Sequence, residues 1–369
     1  MSDFRCQAAT LPSEDAADEP RSDTDAPSAS GDNAQFGLSD AEFENLLANA
    51  LNQSPMYKEY PTVFQAAPKI MTEWRQRYRG NPALWKRLFH KDRVIKEFVE
   101  AAPIIDAVKR LVDATELGNG EQFTIFDLAC GRGYLSMMLS HLLPPEKVKK
   151  LVLVDKQWPM HNMTPKPHHM SWTHIYGSQK EVEDQSIPCY FDTWPIKLHT
   201  SKMDLKSSQQ IRNMEDYHLR DKGPIILVAV HLCGTLSLKA VQLFNNNPEI
   251  RFFCLKPCCL PGMVHAKRHE IFHLGNHSFD SKLVCMAGKW KKNVWIGPPR
   301  TTTKAYFERW ANNLFLGIDS TDATKIQKSI MVQNNGGYQN EFLFAERLPE
   351  TIPVWDALRS YESGEHNLE

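Results

Sequence analysis

The sequence lacks several features that define common protein classes. No run approaches eighteen consecutive apolar residues, so no membrane-crossing segment is expected. The eight cysteines include no CxxC pair, which argues against a disulfide framework and favours reduced thiols in a cytoplasmic or nuclear protein. The N-terminus has neither the positive start nor the apolar stretch of a signal peptide. We therefore expect no membrane partner.

Net charge is also nearly absent, at −1 over 369 residues. Residues 1–40 hold nine acids and two arginines, so the rest of the chain carries about +6. This mild basic excess is compatible with a nucleic-acid partner, although a solvated surface explains it equally simply. It is far below the charge of a dedicated DNA-binding domain, so no DNA partner is expected.

Composition and periodicity divide the chain into four segments. Residues 1–40 are acidic and poor in large apolar side chains, which predicts a disordered tail. Apolar residues at helical spacing predict a helical N-terminal extension over 41–117, with a kink or two helices at Pro103. Residues 118–349 form the main predicted domain, and 350–369 form a C-terminal tail.

Short apolar segments alternate with helical segments in this main domain. Five of them predict parallel strands: FTIFDLACGRG, which runs into a glycine turn, KKLVLVDK, IKLHTSKMDL, PIILVAVHLCG and RFFCLKPCC. Two more, KSIMVQ and NEFLFAERL, flank an Asn-Asn-Gly-Gly turn at 334–337 and predict an antiparallel hairpin. The expected fold class is α/β: a class I (Rossmann-like), doubly wound, mostly parallel sheet with a C-terminal antiparallel hairpin.

The segment DLACGRG at 127–133 follows the first predicted strand, where a parallel sheet binds its ligands. Gly131 and Gly133 allow a tight turn and a close backbone approach to a ligand. A dinucleotide-binding fingerprint needs a third glycine where this chain has Ser136. Asp127 is placed to bind the amino group of a methionine moiety. This pattern favours S-adenosylmethionine (SAM) over a dinucleotide as the cofactor.

Asp155 ends the second predicted strand about twenty residues after this turn, a position suited to ribose hydroxyls. Asp204 ends the third, where an acid can meet an adenine amino group. For any one acid, helix capping or turn formation is the alternative role. The predicted cofactor-binding set is Asp127, Ala129, Gly131, Gly133, Asp155, Lys156, Asp204 and His231.

Four segments resemble one known family: DLACGRGYLSMML, LVLVDK, SKMDL and VAVHLCG, followed by a cysteine pair after the fifth strand. They resemble the methyltransferase domain of the eukaryotic acceptor-stem tRNA ribose 2′-O-methyltransferase and related methyltransferase-like proteins, over about residues 95–345. The resemblance implies SAM-dependent methylation of tRNA. It also implies that Asp127, Gly131 and Gly133 hold the methionine part of SAM, Asp155 the ribose and Asp204 the adenine, with His231, Cys233 and Gly234 facing the reaction centre.

The chain departs from that family at its cysteines. Zinc-binding Cys/His modules precede the family's catalytic domain, whereas Cys6 is the only cysteine here before Cys130. KPCCLPG stands where the family has a cysteine–histidine cluster. Cys233, Cys254, Cys258 and Cys259 fit no standard zinc spacing, and small buried thiols are the simpler interpretation. No metal site is predicted.

His231 and Lys256 are the predicted catalytic residues. His231 ends the fourth strand, and the near-neutral pKa of an imidazole suits a general base; ordering a loop is the alternative. Lys256 ends the fifth strand, where it could orient a phosphate or activate a ribose hydroxyl; a surface lysine is the alternative.

Two segments mix cations with aromatic residues: WRQRYRGNPALWKRLFHKDR at 74–93 and KWKKNVW at 289–295. Such segments can neutralise phosphates and stack on unpaired bases, or they can form an amphipathic helix surface. Together with the resemblance, they make RNA, and tRNA first, the expected acceptor. The alternatives are methylation of a protein or small molecule, or a non-catalytic RNA- or ribosome-binding factor with this fold.

Overall fold

The computed structural model describes residues 37–88, 91–160, 166, 169–177, 189–220, 222–285, 289–291, 294–296, 299–332 and 339–347. The predicted C-terminal tail at 350–369, nearly all of the predicted tail at 1–40, and the predicted turn at 334–337 lie outside these residues.

The N-terminal part of the described chain consists of helices whose apolar side chains recur at helical spacing. Their bounds are α1 Asp40–Asn52, α2 Pro61–Arg77, α3 Pro82–Leu88 and α4 Lys91–Ala114. In α1, Phe43, Leu47 and Leu51 are four residues apart and all buried, so one face packs inward. Helix α4 continues as one helix through Pro103, so of the two predicted alternatives, a kink or two helices, the division into two helices is wrong. The domain boundaries at 41–117 and 118–349 remain predictions.

Within the described residues, seven strands form one sheet in the order β10-β11-β5-β4-β1-β2-β3. Their bounds are β1 Phe123–Leu128, β2 Val148–Asp155, β3 Leu198–Lys202, β4 Ile225–Cys233, β5 Ile250–Cys259, β10 Thr324–Ser329 and β11 Glu341–Glu346. Strands β1 to β5 pair in parallel, whereas β11 is antiparallel to both β5 and β10. This is the class I, Rossmann-like α/β fold predicted from the sequence. Strand β10 begins four residues before the predicted strand KSIMVQ.

The sheet is buried because helices cover both of its faces. The helices after α4 are α5 Tyr134–Leu142, α6 Thr173–Tyr176, α7 Ser208–Met214, α8 Leu236–Asn246, α9 Met263–Lys267 and α10 Arg300–Gly317. Of these, α5 packs against β2 and β3, α8 against β4 and β5, and α10 against β10 and β11. All six residues of β1 and of β11 are buried, the pattern of strands covered on two sides. Helix α4 packs against α5 and β4. It therefore reaches the middle of the sheet, where the candidate site lies.

Two small antiparallel pairs complete the fold. One joins β6 Ile271–Leu274 to β7 His277–Asp280, and the other joins β8 Lys289–Lys291 to β9 Val294–Ile296. The first pair packs against α10. None of the described helices combines the length and apolar content that crossing a membrane requires.

Candidate active site

The turn between β1 and α5 is held by backbone hydrogen bonds to the neighbouring strand. The amide of Cys130 donates to the carbonyl of Val154 at 3.1 Å, and the amide of Gly131 donates to Asp155 Oδ2 at 3.1 Å. Ala129, Gly131 and Gly133 have φ values of +51°, +54° and +82°. The turn therefore needs left-handed backbone at alternate positions, and Ala129 is the residue there that lacks glycine's freedom.

The two glycines of this turn have different reasons to lack a side chain. A Cβ on Gly133 would lie 2.4 Å from Leu153 Cδ2, so packing against β2 excludes it. A Cβ on Gly131 would meet no atom within 4 Å, so this glycine borders open space. Open space beside a turn of backbone amides is what a bound nucleotide requires, and the turn fits the predicted cofactor.

Asp127 and Asp155 lie on adjacent strands at the same edge of the sheet. Asp127 is 2% exposed and accepts a hydrogen bond from Ser136 Oγ at 2.8 Å. Burial, with a smaller contribution from the charge of Asp155, raises the pKa of Asp127 to about 7. Burial also raises the pKa of Asp155, although the amides of Gln157 and Gly131 donate to it. A cationic ligand such as an ammonium group would stabilise the ionised forms of these two neighbouring carboxylates.

The other predicted cofactor residues lie beside this pair. Lys156 follows Asp155 and is exposed. Asp204 is half-buried just after β3, and its Oδ1 accepts from the amide of Lys206 at 2.9 Å. The amide of Met203 donates to the carbonyl of Asp155 at 3.2 Å, which joins the ends of β2 and β3. The structure thus brings these residues to one edge, and their roles remain predictions.

His231 lies at a β-bulge at the carboxyl end of β4. Val230 pairs with Lys256 and Leu232 pairs with Pro257, so His231 is the extra residue. Its φ of +63° is left-handed, which re-aims its side chain. Its Nε2 lies 2.8 Å from Glu100 Oε2 on helix α4.

Lys256 shares this carboxylate. Its Nζ lies 3.2 Å from the same Glu100 Oε2, and the side chain is 2% exposed. The surface-lysine alternative is therefore wrong, because β5 is covered at this position. Burial raises the pKa of Glu100, but the hydrogen bond with His231 and the charge of Lys256 outweigh it and lower the pKa to about 2. Glu100 is ionised at neutral pH.

Sequence reasoning missed Glu100 and its neighbour Glu97, whose Oε2 is 3.6 Å from His231 Nε2. One signal was available: Glu100 follows Phe98 and Val99 and precedes Ala101 and Ala102, in the most apolar part of α4. An acid inside such a stripe indicates a buried partner, because burying an unpaired charge is costly. The sequence does not indicate which residue that partner is.

Three aromatic residues of the segment 74–93 do not form a base-stacking surface. Trp74, Tyr78 and Trp85 are buried, at 1%, 0% and 7% exposed. Trp74 donates to His141 Nε2 at 3.2 Å, and Tyr78 donates to the carbonyl of His174 at 2.5 Å. The base-stacking interpretation is therefore wrong for these three, which belong to the core. The side chains of 289–295 lie outside the described part of the chain.

A family model covers the part of the chain that carries this site. Residues 95–265 match the family model described as a methyltransferase domain. The matched segment begins in α4 and ends in α9, so it contains Glu100, the β1–α5 turn, His231 and Lys256. No curated protein matches the chain.

Several solved structures are similar at low identity. The plantazolicin methyltransferase BpumL in complex with SAH is 11% identical, with a TM-score of 0.30, and the match covers 84% of this chain and 98% of that one. The CurJ carbon methyltransferase is 10% identical, with a TM-score of 0.34 and coverage of 84% and 71%. A putative SAM-dependent methyltransferase from Listeria monocytogenes is 11% identical, with a TM-score of 0.27 and coverage of 66% and 99%. Likeness this low supports no conclusion about an acceptor.

Proposed function

We propose that this SAM-dependent methyltransferase transfers the methyl group to a hydroxyl group of RNA, with the ribose 2′-hydroxyl of tRNA as the first candidate. The observation that carries the proposal is the contact of His231 with Glu100 at the carboxyl end of β4. This contact holds the imidazole of His231 in one orientation, and His231 lies at the same edge of the sheet as the turn between β1 and α5.

The methyl donor is SAM, which supplies an electrophilic methyl group on a sulfonium. The residues that would hold it are Asp127 and Asp155, with the amide-lined turn at Gly131 between them. Asp127 would bind the ammonium group and Asp155 the ribose hydroxyls. Both are fixed by hydrogen bonds, Asp127 from Ser136 and Asp155 from Gln157 and Gly131. The protein's part in the reaction is then mainly alignment of donor and acceptor.

His231 acts on the acceptor side. When its Nε2–H donates to Glu100, the lone pair on Nδ1 is available to accept a hydrogen bond from a hydroxyl group. The same nitrogen takes the proton of that hydroxyl as the oxygen is methylated. A base held by a carboxylate suits an O–H acceptor, which must lose a proton to become a neutral methyl ether.

Lys256 acts through Glu100. With 2% of its side chain exposed, its ammonium group faces the carboxylate and not the solvent. We assign it as a positioning residue that keeps Glu100 ionised and in place for His231.

RNA as the acceptor is supported by the resemblance and by exposed cations. Lys156, Lys206, Lys267 and Arg268 follow the ends of β2, β3 and β5, and all four side chains are exposed. The carboxyl ends of these parallel strands meet at one edge, so Lys156 and Lys206, which closely follow β2 and β3, lie near the edge that carries the candidate site. Cations in this place can neutralise phosphates of a polynucleotide.

The test is incubation with methyl-labelled SAM and separate tRNA, other RNA, protein and metabolite fractions. We expect label in tRNA, and ribose methylation will appear as dinucleotides that resist alkaline hydrolysis. The variant His231→Ala should lower kcat by about 100-fold, because general-base catalysis contributes that much, while the SAM dissociation constant stays unchanged. His273→Ala, which removes an exposed histidine of β6, serves as the matched control. Label confined to protein or to metabolites would overturn the RNA acceptor.

A further inference from the structure

Three cysteine sulfurs meet where β4 and β5 end. Cys233 Sγ and Cys258 Sγ lie 3.1 Å apart, and Cys258 Sγ and Cys259 Sγ lie 3.4 Å apart. All three sulfurs lie within 4.8 Å of one another. A disulfide bond is about 2.05 Å long, so these are thiols in contact that no disulfide joins.

Two bulges build this cluster. His231 is the extra residue of β4, and Cys258 is the extra residue of β5, since Leu232 pairs with Pro257 and Cys233 with Cys259. A bulge re-aims side chains that would otherwise alternate between the two faces of the sheet. Here the paired bulges bring sulfurs from positions 25 residues apart to one point.

Backbone contacts fix the cluster in place. The amide of Gly234 donates to the carbonyl of Cys259 at 3.2 Å, and Ser237 Oγ donates to the carbonyl of Leu232 at 3.0 Å. Gln339 Nε2 donates to the carbonyl of Cys258. The sulfurs are therefore held together by the fold and need little rearrangement to bind a common ligand.

Packing as small apolar side chains does not account for the cluster. Cys254 shows what that role looks like: it is 0% exposed in the middle of β5 and lies outside the sulfur cluster. Cys258 is 4% exposed, but Cys233 and Cys259 are only half-buried. Two of the three thiols can therefore be approached from the strand edge.

We propose that Cys233, Cys258 and Cys259 bind one thiophilic divalent cation, Zn²⁺, through three thiolate sulfurs. Zinc binds cysteine sulfur at about 2.3 Å, which sets sulfurs about 3.8 Å apart in a tetrahedron. The two sulfur pairs of Cys258, at 3.1 and 3.4 Å, lie within several tenths of an ångström of that spacing, and all three sulfurs lie within 4.8 Å of one another. Each thiol loses its proton to solvent as its sulfur bonds to the ion, so binding releases three protons and leaves the site with one negative charge.

The fourth position of this zinc is open. Among the described residues, no histidine or carboxylate joins the three sulfurs within the same distance. A structural zinc is closed by four protein ligands, whereas an open position takes water or a ligand. The site lies at the strand ends that carry His231, so the ion and the acceptor side of the cleft are neighbours. The proposal is independent of which acceptor the enzyme uses.

The test is metal binding by the full-length protein after reduction and removal of metal by chelation. Titration with Co²⁺ should give thiolate-to-cobalt absorption that saturates at one ion per chain and disappears when Zn²⁺ is added. The variant Cys233→Ser/Cys259→Ser should weaken binding by at least about tenfold, because even the partners of metal ligands contribute that much. Cys189→Ser, an exposed cysteine outside the cluster, is the matched control and should bind as the wild type.

Alkylation of the wild-type protein provides a second measurement that needs no variant. With Zn²⁺ present, Cys233 and Cys259 should be protected from iodoacetamide while Cys189 is labelled at an unchanged rate. The proposal is overturned if the reduced wild type takes up neither ion, if the double variant, folded by circular dichroism, binds as tightly as the wild type, or if Zn²⁺ protects none of these thiols.

Discussion

The two halves of the strand edge are built differently. On the β1–β3 side, the site consists of a backbone turn and carboxylates, and Asp155 binds the turn through the amide of Gly131, 24 residues away. On the β4–β5 side, the site consists of charged and sulfur-containing side chains. Their central contact joins Lys256 to Glu100, 156 residues away on helix α4.

This difference shows how each half is stabilised. Asp127, the turn at Gly131 and Asp155 belong to one βαβ segment, β1–α5–β2. Local backbone geometry therefore places them. The positions of His231 and Lys256 depend on the packing of α4 against β4, because Glu100 on α4 is the residue that contacts both of them. Substitutions should therefore affect binding of the donor on one side and stability of the fold on the other.

The largest effect is expected for Glu100→Gln, which leaves Lys256 buried without its carboxylate. Removing one partner of a buried ion pair costs about 3 kcal/mol, so the free energy of unfolding should fall by that amount in urea titrations. The double variant Glu100→Gln/Lys256→Met should recover part of the loss. Glu97→Gln is the control, since this half-buried acid lies farther from His231. Equal losses in both single variants would refute the central role of Glu100.

Acid unfolding sharpens this test. The pKa of Glu100 is lowered from 4.5 to about 2 by its partners, which outweigh burial. Its contribution is complete above the unfolded pKa and is lost as the pH falls through the folded pKa. Stability should therefore decline between pH 4.5 and 2 in the wild type, and this part of the decline should be absent from Glu100→Gln.

The next effect concerns the donor side. Asp127→Asn should weaken SAM binding by about tenfold or more, because hydrogen bonds to charged groups contribute about 1.5 to 3 kcal/mol. Calorimetry measures the dissociation constant, and Asp113→Asn, an exposed acid on α4 that pairs with Lys109, is the control. If the two variants bind SAM equally well, Asp127 is not part of the cofactor site.

A smaller effect follows from the pKa of Asp127, which is raised to about 7 mainly by burial. Binding an ammonium group favours the ionised carboxylate, so SAM must displace a proton below this pKa. The affinity for SAM should rise as the pH increases from 6 to 8, by at most about tenfold per pH unit. Asp127→Asn should remove this rise, and a slope that persists in the variant would assign it to another group.

The smallest effect is expected within the turn. Ala129→Gly should raise the free energy of unfolding by less than about 1 kcal/mol, because relief of left-handed strain is partly offset by the greater freedom of glycine in the unfolded chain. Gly133→Ala should lower it, since the added Cβ would meet Leu153. Thermal melts of both variants measure whether each substitution raises or lowers stability. A higher stability in both variants would contradict the assigned geometry.

The fold and the position of the glycine turn could be predicted because their signals are local, whereas the cofactor roles of Asp127 and Asp155 remain predictions. Alternating short apolar strands and helices indicated the parallel sheet, and Asp127, Gly131 and Asp155 indicated the turn and its flanking acids. Local pattern was misleading for the segment 74–93, where the mixture of cations and aromatic residues resembled a nucleic-acid-binding surface. Trp74, Tyr78 and Trp85 are instead core residues, since a helix pattern does not indicate which face another helix will cover.

Local sequence pattern was enough to predict the order of strands and helices and a glycine turn at the end of β1, because hydrophobic period and glycine spacing act over a few residues. Only the tertiary structure decided that Glu100 joins His231 to Lys256 and that three cysteines share one point. The reason is physical: bulges in β4 and β5 and the packing of α4 bring together groups that no sequence spacing relates.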